Sequence, residues 1–154
     1  MITKEQYLIS STGFRPGAGI LLSKKVKTDF IRAAYIYMAD YFNESLKKLQ
    51  MEFPLIETSF CPLDESHFMA SVSLNGTTVS SCRIWFGGNN RIAFLTNSSG
   101  ADGSHSDFLS VEEENGRMFL KSLPDIEKEN KLTIKLSAEY LWKKFTLALK
   151  NISN

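Results

Sequence analysis

His105, Ser106 and Asp107 place the three residue types of a hydrolytic site side by side in this sequence. A nucleophile, a base and an orienting carboxylate must converge in space, whereas the side chains of adjacent residues point apart. The run therefore cannot act as a relay by itself, and catalysis would need partners from distant parts of the chain. One alternative function stays open on this ground: an enzyme with a dispersed acid/base site near His67, Asp102, His105 and Asp107.

The motifs for metal and phosphate chemistry are incomplete. Five residues separate Cys61 from His67, which matches no standard zinc spacing, and Cys82 lies in an apolar strand pattern where a thiol acts as a small hydrophobe. The glycine-rich stretch at 13–19 has neither the dinucleotide-binding nor the P-loop spacing. We therefore expect no metal site, no cofactor and no assignable catalytic residue, which favours a protein that is not an enzyme.

Composition and charge predict a folded, soluble protein without a nucleic-acid partner. The chain has 154 residues, of which 43% are hydrophobic and 12% aromatic, enough for one domain with a substantial core. Its 18 basic and 17 acidic side chains leave a net charge of +1, whereas nucleic-acid binding usually shows as a basic patch or stripe. The prediction is a single α+β domain over residues 1–154.

The N-terminal residues and the cysteine count predict a cytoplasmic location. Lys4, Glu5 and Gln6 occupy positions where a secretory signal would be apolar, and no apolar run approaches the ~20 residues that a bilayer requires. Two cysteines are fewer than the disulfide frameworks of small secreted domains contain. We expect Cys61 and Cys82 to stay reduced, and we expect no membrane partner.

The first third of the chain is predicted to be helical with one interruption. Thr3 and Gln6 fit a capping box, which predicts a short helix over 4–9, and a glycine-rich connector follows as far as residue 24. A period of 3.6 residues then predicts a long helix over 27–48. Its apolar stripe consists of Ile31, Tyr35, Met38, Phe42 and Leu49.

From residue 67 onward the hydrophobic period changes to two residues, which indicates β-strands. Strands are predicted at 67–74, 79–86, 91–96, 108–113 and 118–123, with a short sixth strand over Leu132–Leu136. The dipeptides Asn75-Gly76 and Asn115-Gly116 are typical of tight hairpin turns. In the second hairpin, Val111 should face Leu120 and Glu114 should face Arg117.

The first hairpin poses a question of register. A strict two-residue turn at Asn75-Gly76 would put Cys82 and Phe68 on opposite faces of the sheet. A three-residue turn with a bulge would unite their faces, and we favour it. The alternative is a sheet that is covered on both sides.

The chain is predicted to end in a second helix over 139–149, capped by Ser137. The element order is then a long helix, five to six consecutive antiparallel strands, and a C-terminal helix. Such grouping is typical of an α+β fold, with both helices packed on one face of the sheet. Phe42 and Phe145 lie on the two apolar stripes and should both be core residues.

The segment Asn97–Asp107 is predicted to be a long polar loop, and loops of this length are often functional or disordered. Our main hypothesis is a non-enzymatic binding protein that captures a partner protein or a small ligand, for which an anion is one candidate. A third possibility is an oligomerising or adaptor domain, including a homo-oligomer, that uses a sheet edge or a helix face. The candidate binding residues are Arg83, Arg91, Asp102, His105 and Asp107.

Overall fold

The computed structural model describes residues 16–87, 90–98, 104–122, 131–147 and 149, with the backbone alone at 16–23, 98, 104 and 105. In these residues the elements are α1 (Pro16–Glu52), β1 (Ile56–Asp64), β2 (His67–Leu74), β3 (Thr77–Phe86), β4 (Arg91–Ser98), β5 (Ser104–Glu114), β6 (Arg117–Ser122) and α2 (Ile134–Thr146). The strands form one antiparallel sheet in sequence order, and both helices cover the same face. The predicted α+β class is confirmed. Neither helix, as far as it is described, is long and apolar enough to cross a membrane.

Helix α1 begins at Pro16, inside the stretch that was predicted to be a connector. That part of the prediction is wrong from Pro16 onward, and the short helix predicted over 4–9 lies outside the described residues. Proline suits the first turn of a helix because its missing N–H is not needed there. Once a helix is nucleated, each residue adds a hydrogen bond, so it can run through Gly17 and Gly19 at about 1 kcal/mol each.

Strand β1 was not predicted, and it supplies the sixth strand in place of Leu132–Leu136. Leu132 makes an isolated bridge to Leu120, and α2 already begins at Ile134. Thr133 caps α2, since its hydroxyl accepts a hydrogen bond from the Leu136 N–H at 3.1 Å. The predicted cap, Ser137, instead lies buried inside the helix.

The first hairpin has the predicted faces but a different turn. Asn75 and Gly76 form a two-residue turn with positive φ angles of 53° and 79°. The register then shifts between Val72 and Ser73, so that Ala70 lies opposite Cys82 on the covered face. The bulge thus lies within the strands beyond the turn. In the second hairpin, the pairings of Val111 with Leu120 and of Glu114 with Arg117 are confirmed.

The prediction of a long polar loop over Asn97–Asp107 is wrong at 97–98 and at 104–107, which belong to β4 and β5. Asn97 pairs with Ser104 at the ends of β4 and β5, and residues 99–103 lie outside the described part of the chain. The polar residues of this segment gave no hydrophobic alternation, yet the backbone ladder continues because serine and asparagine can point to solvent from a strand.

One apolar core lies between the helices and the sheet. Phe42 of α1 and Phe145 of α2 are fully buried, as predicted, with their ring centres 5.8 Å apart. The Phe42 ring also lies 5.5 Å from that of Phe68 on β2, so both helices and the sheet meet at this residue. The two cysteines lie on opposite faces of the sheet, with Cys82 buried in the core and Cys61 exposed.

Candidate functional site

The face of the sheet that points away from the helices is called the open face here. Because side chains alternate along a strand, every second residue of each strand lies on this face. The strand register aligns the residues of neighbouring strands into rows. One row holds His67, Trp85, Ala93 and Phe108, and the next holds Cys61, Met69, Arg83, Leu95 and Ser106.

Apolar side chains surround one arginine on the open face. Met69 and Leu95 lie opposite Arg83 on the two adjacent strands, each about 4.8 Å away in the sheet, and Trp85 lies two residues along β3. Leu95 is 37% exposed and Phe108 40% exposed, although both occupy the middle region of the sheet. We call this group, formed by Met69, Arg83, Trp85, Leu95 and Phe108, the Arg83 patch.

The open face is basic on β2, β3 and β4, whereas Glu112 lies on the same face of β5, two residues from Ser110, the partner of Arg91. On the open-face positions of β2, β3 and β4, the described residues include Arg83 and Arg91 and no carboxylate. Both arginines are exposed, and Trp85 lies between them because Ala93, its partner on β4, is two residues from Arg91. The structure therefore brings two of the predicted binding residues onto one surface, where they can meet an anionic group.

His67 lies at the margin of the patch, with its ring centre 5.4 Å from that of Trp85. Its Nε2 atom is buried and has no hydrogen-bond partner among the described residues. The neighbouring Asp64 accepts hydrogen bonds from the Ser66 N–H and hydroxyl, which together with the charge of His67 lower the pKa of Asp64. Because the Nε2 atom is buried, it is not exposed to a molecule that binds the patch.

Asp107, another predicted binding residue, lies on the opposite, covered face. It is 1% exposed and accepts hydrogen bonds from the Phe108 N–H at 3.0 Å and from three side chains. Those donors are Ser122 Oγ at 3.0 Å, Tyr140 OH at 2.8 Å and Lys144 Nζ at 2.6 Å. Burial acts to lower the pKa of Lys144, but hydrogen bonds and charge from Asp107 and Tyr140 outweigh it and raise that pKa. Asp107 therefore anchors α2 to the sheet.

Sequence reasoning missed the three partners of Asp107, although two signals pointed to them. Asp107 shares its strand parity with Leu109 and Val111, which places it among core residues. Tyr140 and Lys144 are four residues apart, which puts them on one face of α2. A buried carboxylate needs such donors, because an unpaired charge in the core is very costly.

The residues of the dispersed acid/base site do not converge in the described part of the chain. His67 lies on the open face of β2, whereas Asp107 lies on the covered face of β5. His105 pairs with Thr96 in β5, but its side chain is not described, and Asp102 lies outside the described residues. Within those residues, no group of three or more His, Cys, Asp or Glu side chains could hold a metal ion.

Both edges of the sheet carry features that limit the pairing of further strands. At the β1 edge, the Gln50 side chain donates to the Ile56 carbonyl and accepts from the Thr58 N–H at 2.9 Å. Along an edge strand, every second residue points its backbone N–H away from the sheet, and in β1 these are residues 56, 58, 60 and 62. The Ile56 N–H donates to the Phe53 carbonyl, and Pro62 has no N–H. Phe60 therefore has the single outward N–H of 56–62 that is left without a partner. At the β6 edge, Leu120 exchanges two hydrogen bonds of 2.8 Å with Leu132.

A family model described as the Y4lF protein domain matches residues 57–147. The match begins at the second residue of β1, ends just after α2, and contains every strand position of the open face. Searches of curated proteins and of solved structures found no match. Because the matched residues make up more than half of the 154-residue chain, this chain belongs to the Y4lF protein domain family.

Proposed function

We propose that this protein is a non-enzymatic binding protein that captures a partner protein through the open face of its sheet. The Arg83 patch carries the proposal: an exposed guanidinium lies among apolar side chains, on a face that the described helices leave uncovered. Arginine and tryptophan are the residues that most often dominate the energy of protein interfaces. A contiguous apolar surface of this kind is typical of an interaction site.

The shape of the surface favours a polypeptide over a small ligand. The patch extends over β2, β3, β4 and β5, which is about 14 Å across at the usual strand spacing. Its exposed members, Leu95 and Phe108, stand on a sheet face, whereas small ligands bind in concave sites that enclose most of their surface. Arg83 favours a partner segment with acidic groups, since the described open-face positions of its own strand and of both adjacent strands hold no carboxylate.

Two observations support this proposal over the alternatives. His67 and Asp107 lie on opposite sides of the sheet, which argues against a shared acid/base reaction. Gln50 and Pro62 at one edge and Leu132 at the other leave few backbone groups for strand addition, which argues against an adaptor that recruits by its sheet edge. The face of the sheet is the better candidate than its edges.

A cytoplasmic location is also part of the proposal. Cys61 and Cys82 lie on opposite faces of the sheet and so cannot form a disulfide with each other. A protein that keeps two free thiols suits a reducing compartment. Fractionation of the producing cells should recover the protein with the cytosolic markers, and recovery with a secreted or membrane fraction would contradict this location.

The experiment compares two surface variants that carry the same chemical change. Leu95→Lys alters the open face, and Ile36→Lys alters an exposed position of α1. Each tagged variant and the wild type would be used to capture partners from extracts of the producing cell, with thermal melts confirming equal folding. We expect Leu95→Lys to lose about tenfold or more of the bound partner, because a charge enters the apolar patch, and Ile36→Lys to retain it.

Equal capture by all three proteins would overturn the proposal. Covalent footprinting provides an independent check, since bound partner should protect Trp85 from oxidation by hydroxyl radicals. Recovery of a small anionic molecule in place of a protein, with the same dependence on Leu95, would reassign the open face to a ligand.

A further inference from the structure

A second exposed apolar surface lies where α1 turns into β1. Met51 and Leu55 are each 82% exposed, and Phe53 is 40% exposed. Glu52 and Glu57 are exposed beside them, and neither forms a salt bridge with a described residue. We call this group, formed by Met51, Glu52, Phe53, Leu55 and Glu57, the acidic corner.

The acidic corner and the Arg83 patch are opposite in charge, and both contain exposed apolar side chains. The corner offers carboxylates among exposed apolar side chains, and the patch offers a guanidinium among exposed apolar side chains. We infer that the acidic corner of one copy of this chain docks on the Arg83 patch of a second copy. The inference rests on the proposed function, because it names the partner that the open face would bind.

The contact has to form between copies. Glu57 lies opposite Ser73 at one end of β2, whereas Arg83 lies opposite Met69 and one strand further in. Two strand spacings of about 4.8 Å and four residues of about 3.4 Å separate their positions, roughly 16 Å in all. Both residues belong to strands of the same hydrogen-bonded sheet, which fixes this separation within one chain.

The energy of such a contact would come from the combination of charge and burial. An exposed ion pair contributes little, because water and salt screen it. Here Met69 and Leu95 flank the guanidinium, and Phe53 and Leu55 accompany the carboxylates, so docking removes water from around the pair. Apolar surroundings that exclude water are what make a central arginine dominate an interface.

The experiment measures the self-association of the full chain by sedimentation velocity over a range of protein concentrations. Arg83→Glu removes the receiving surface, and Leu55→Lys removes the docking surface; both positions are exposed, so folding should be preserved. Arg32→Glu and Ile36→Lys are matched controls at exposed positions of α1. We expect the wild type and controls to associate, and each of the two test variants to associate about tenfold or more weakly.

Mixing the two test variants gives the decisive result. Arg83→Glu keeps a functional acidic corner and Leu55→Lys keeps a functional Arg83 patch. An equimolar mixture should therefore form one-to-one heterodimers at concentrations where each variant alone stays monomeric. A mixture that stays monomeric would overturn the inference, as would association that survives in both variants. Melts of each variant would exclude unfolding as the cause.

Failure of this inference is distinguishable from failure of the proposed function. A wild type that remains monomeric at every concentration, while Arg83→Glu abolishes capture of a different protein, overturns self-association and leaves the open face as a binding surface. Full retention of both self-association and partner capture by Arg83→Glu and Leu95→Lys would overturn both.

Discussion

Lys144 Nζ lies 2.6 Å from Asp107 Oδ2, so an ion pair joins the last turn of α2 to strand β5 on the covered face. The two partners differ in exposure, since the Asp107 side chain is 2% exposed and that of Lys144 is 35% exposed. Asp107 also accepts hydrogen bonds from the hydroxyls of Ser122 and Tyr140. Loss of the carboxylate should therefore be more damaging than loss of the lysine.

We predict that Asp107→Ala lowers the free energy of unfolding by about 3–5 kcal/mol, because it leaves a partly buried ammonium and two hydroxyls without their acceptor. Lys144→Met should cost less, about 1–3 kcal/mol, since Ser122, Tyr140 and the Phe108 N–H still satisfy the carboxylate. Urea unfolding measures both values, and Glu113→Ala at an exposed position is the control. Equal losses for the two variants would contradict the central role of Asp107.

The role of Asp107 could not be predicted from the sequence, and the reason is the distance along the chain to its partners. Ser122, Tyr140 and Lys144 are 15, 33 and 37 residues away, so their convergence depends on the docking of α2. Local rules succeeded where the interactions are local. The turn at Asn115-Gly116 fixes the pairing of its hairpin, and the helical period of α1 fixes which side of it is buried.

Strand β1 and the Arg83 patch show two further limits of prediction from the sequence. Pro62, Glu57 and Asp64 weaken the strand pattern of β1, and an edge position tolerates all three because only one side of the strand pairs. Arg83 was named as a binding residue, but its apolar neighbours Met69 and Leu95 are set by the register across three strands. Sequence periodicity gives the face of each residue and leaves its cross-strand neighbours undetermined.

Stability should fall steadily above about pH 8.5. Burial raises the pKa of the Cys82 thiol, and burial with the charge of Asp64 raises the pKa of Tyr35 to about 12. The unfolded chain releases these protons at its ordinary pKa values of about 8.5 and 10, before the folded chain does, so rising pH favours unfolding. Lys144 also makes the folded state less stable as pH rises. Its ion pair is complete below the pKa of about 10.4 that lysine has in the unfolded chain, and it is lost as pH rises through the raised pKa of Lys144 in the folded chain.

Urea unfolding at pH 7.5, 9.5 and 11 tests this expectation. Cys82→Ala should flatten the decline from about pH 8.5 upward, and Tyr35→Phe should flatten it above about pH 10. Cys61→Ala is the matched control, because Cys61 is exposed. Stability that is constant up to pH 11 would contradict the burial of both groups.

Phe42 and Phe145 should show coupled contributions to stability. Each is fully buried, and truncation of a buried phenylalanine to alanine costs about 3–5 kcal/mol. Because their rings lie 5.8 Å apart, the double variant should lose less than the sum of the two single losses. Denaturant melts of the two single variants and the double variant give the coupling. Strict additivity would mean that α1 and α2 do not share this part of the core.

The two thiols should differ strongly in their reaction with a thiol reagent. Cys61 is exposed on the open face, whereas Cys82 is buried, and burial raises its pKa and so suppresses the reactive thiolate. We expect one thiol to react rapidly in the folded protein and the second to react only with unfolding, as followed by absorbance of the released chromophore. Cys61→Ala should remove the rapid phase, and a rapid phase that persists in this variant would contradict the placement of Cys82.

Gln50 and Pro62 should together keep the β1 edge from pairing with other molecules. Gln50→Ala frees the Ile56 carbonyl and the Thr58 N–H, and Pro62→Val restores a donor at a position that now lacks one. The double variant then presents donors at Thr58, Phe60 and residue 62, enough for a continuous ladder with another strand.

We expect the double variant to form amyloid-dye-positive aggregates at concentrations where Lys48→Ala, an exposed substitution two residues from Gln50, gives none. Gln50→Ala alone should cost about 1–2 kcal/mol in urea unfolding, because two hydrogen bonds are lost at a partly exposed site. A double variant that stays as soluble as the wild type would show that the edge is protected by something other than these two residues.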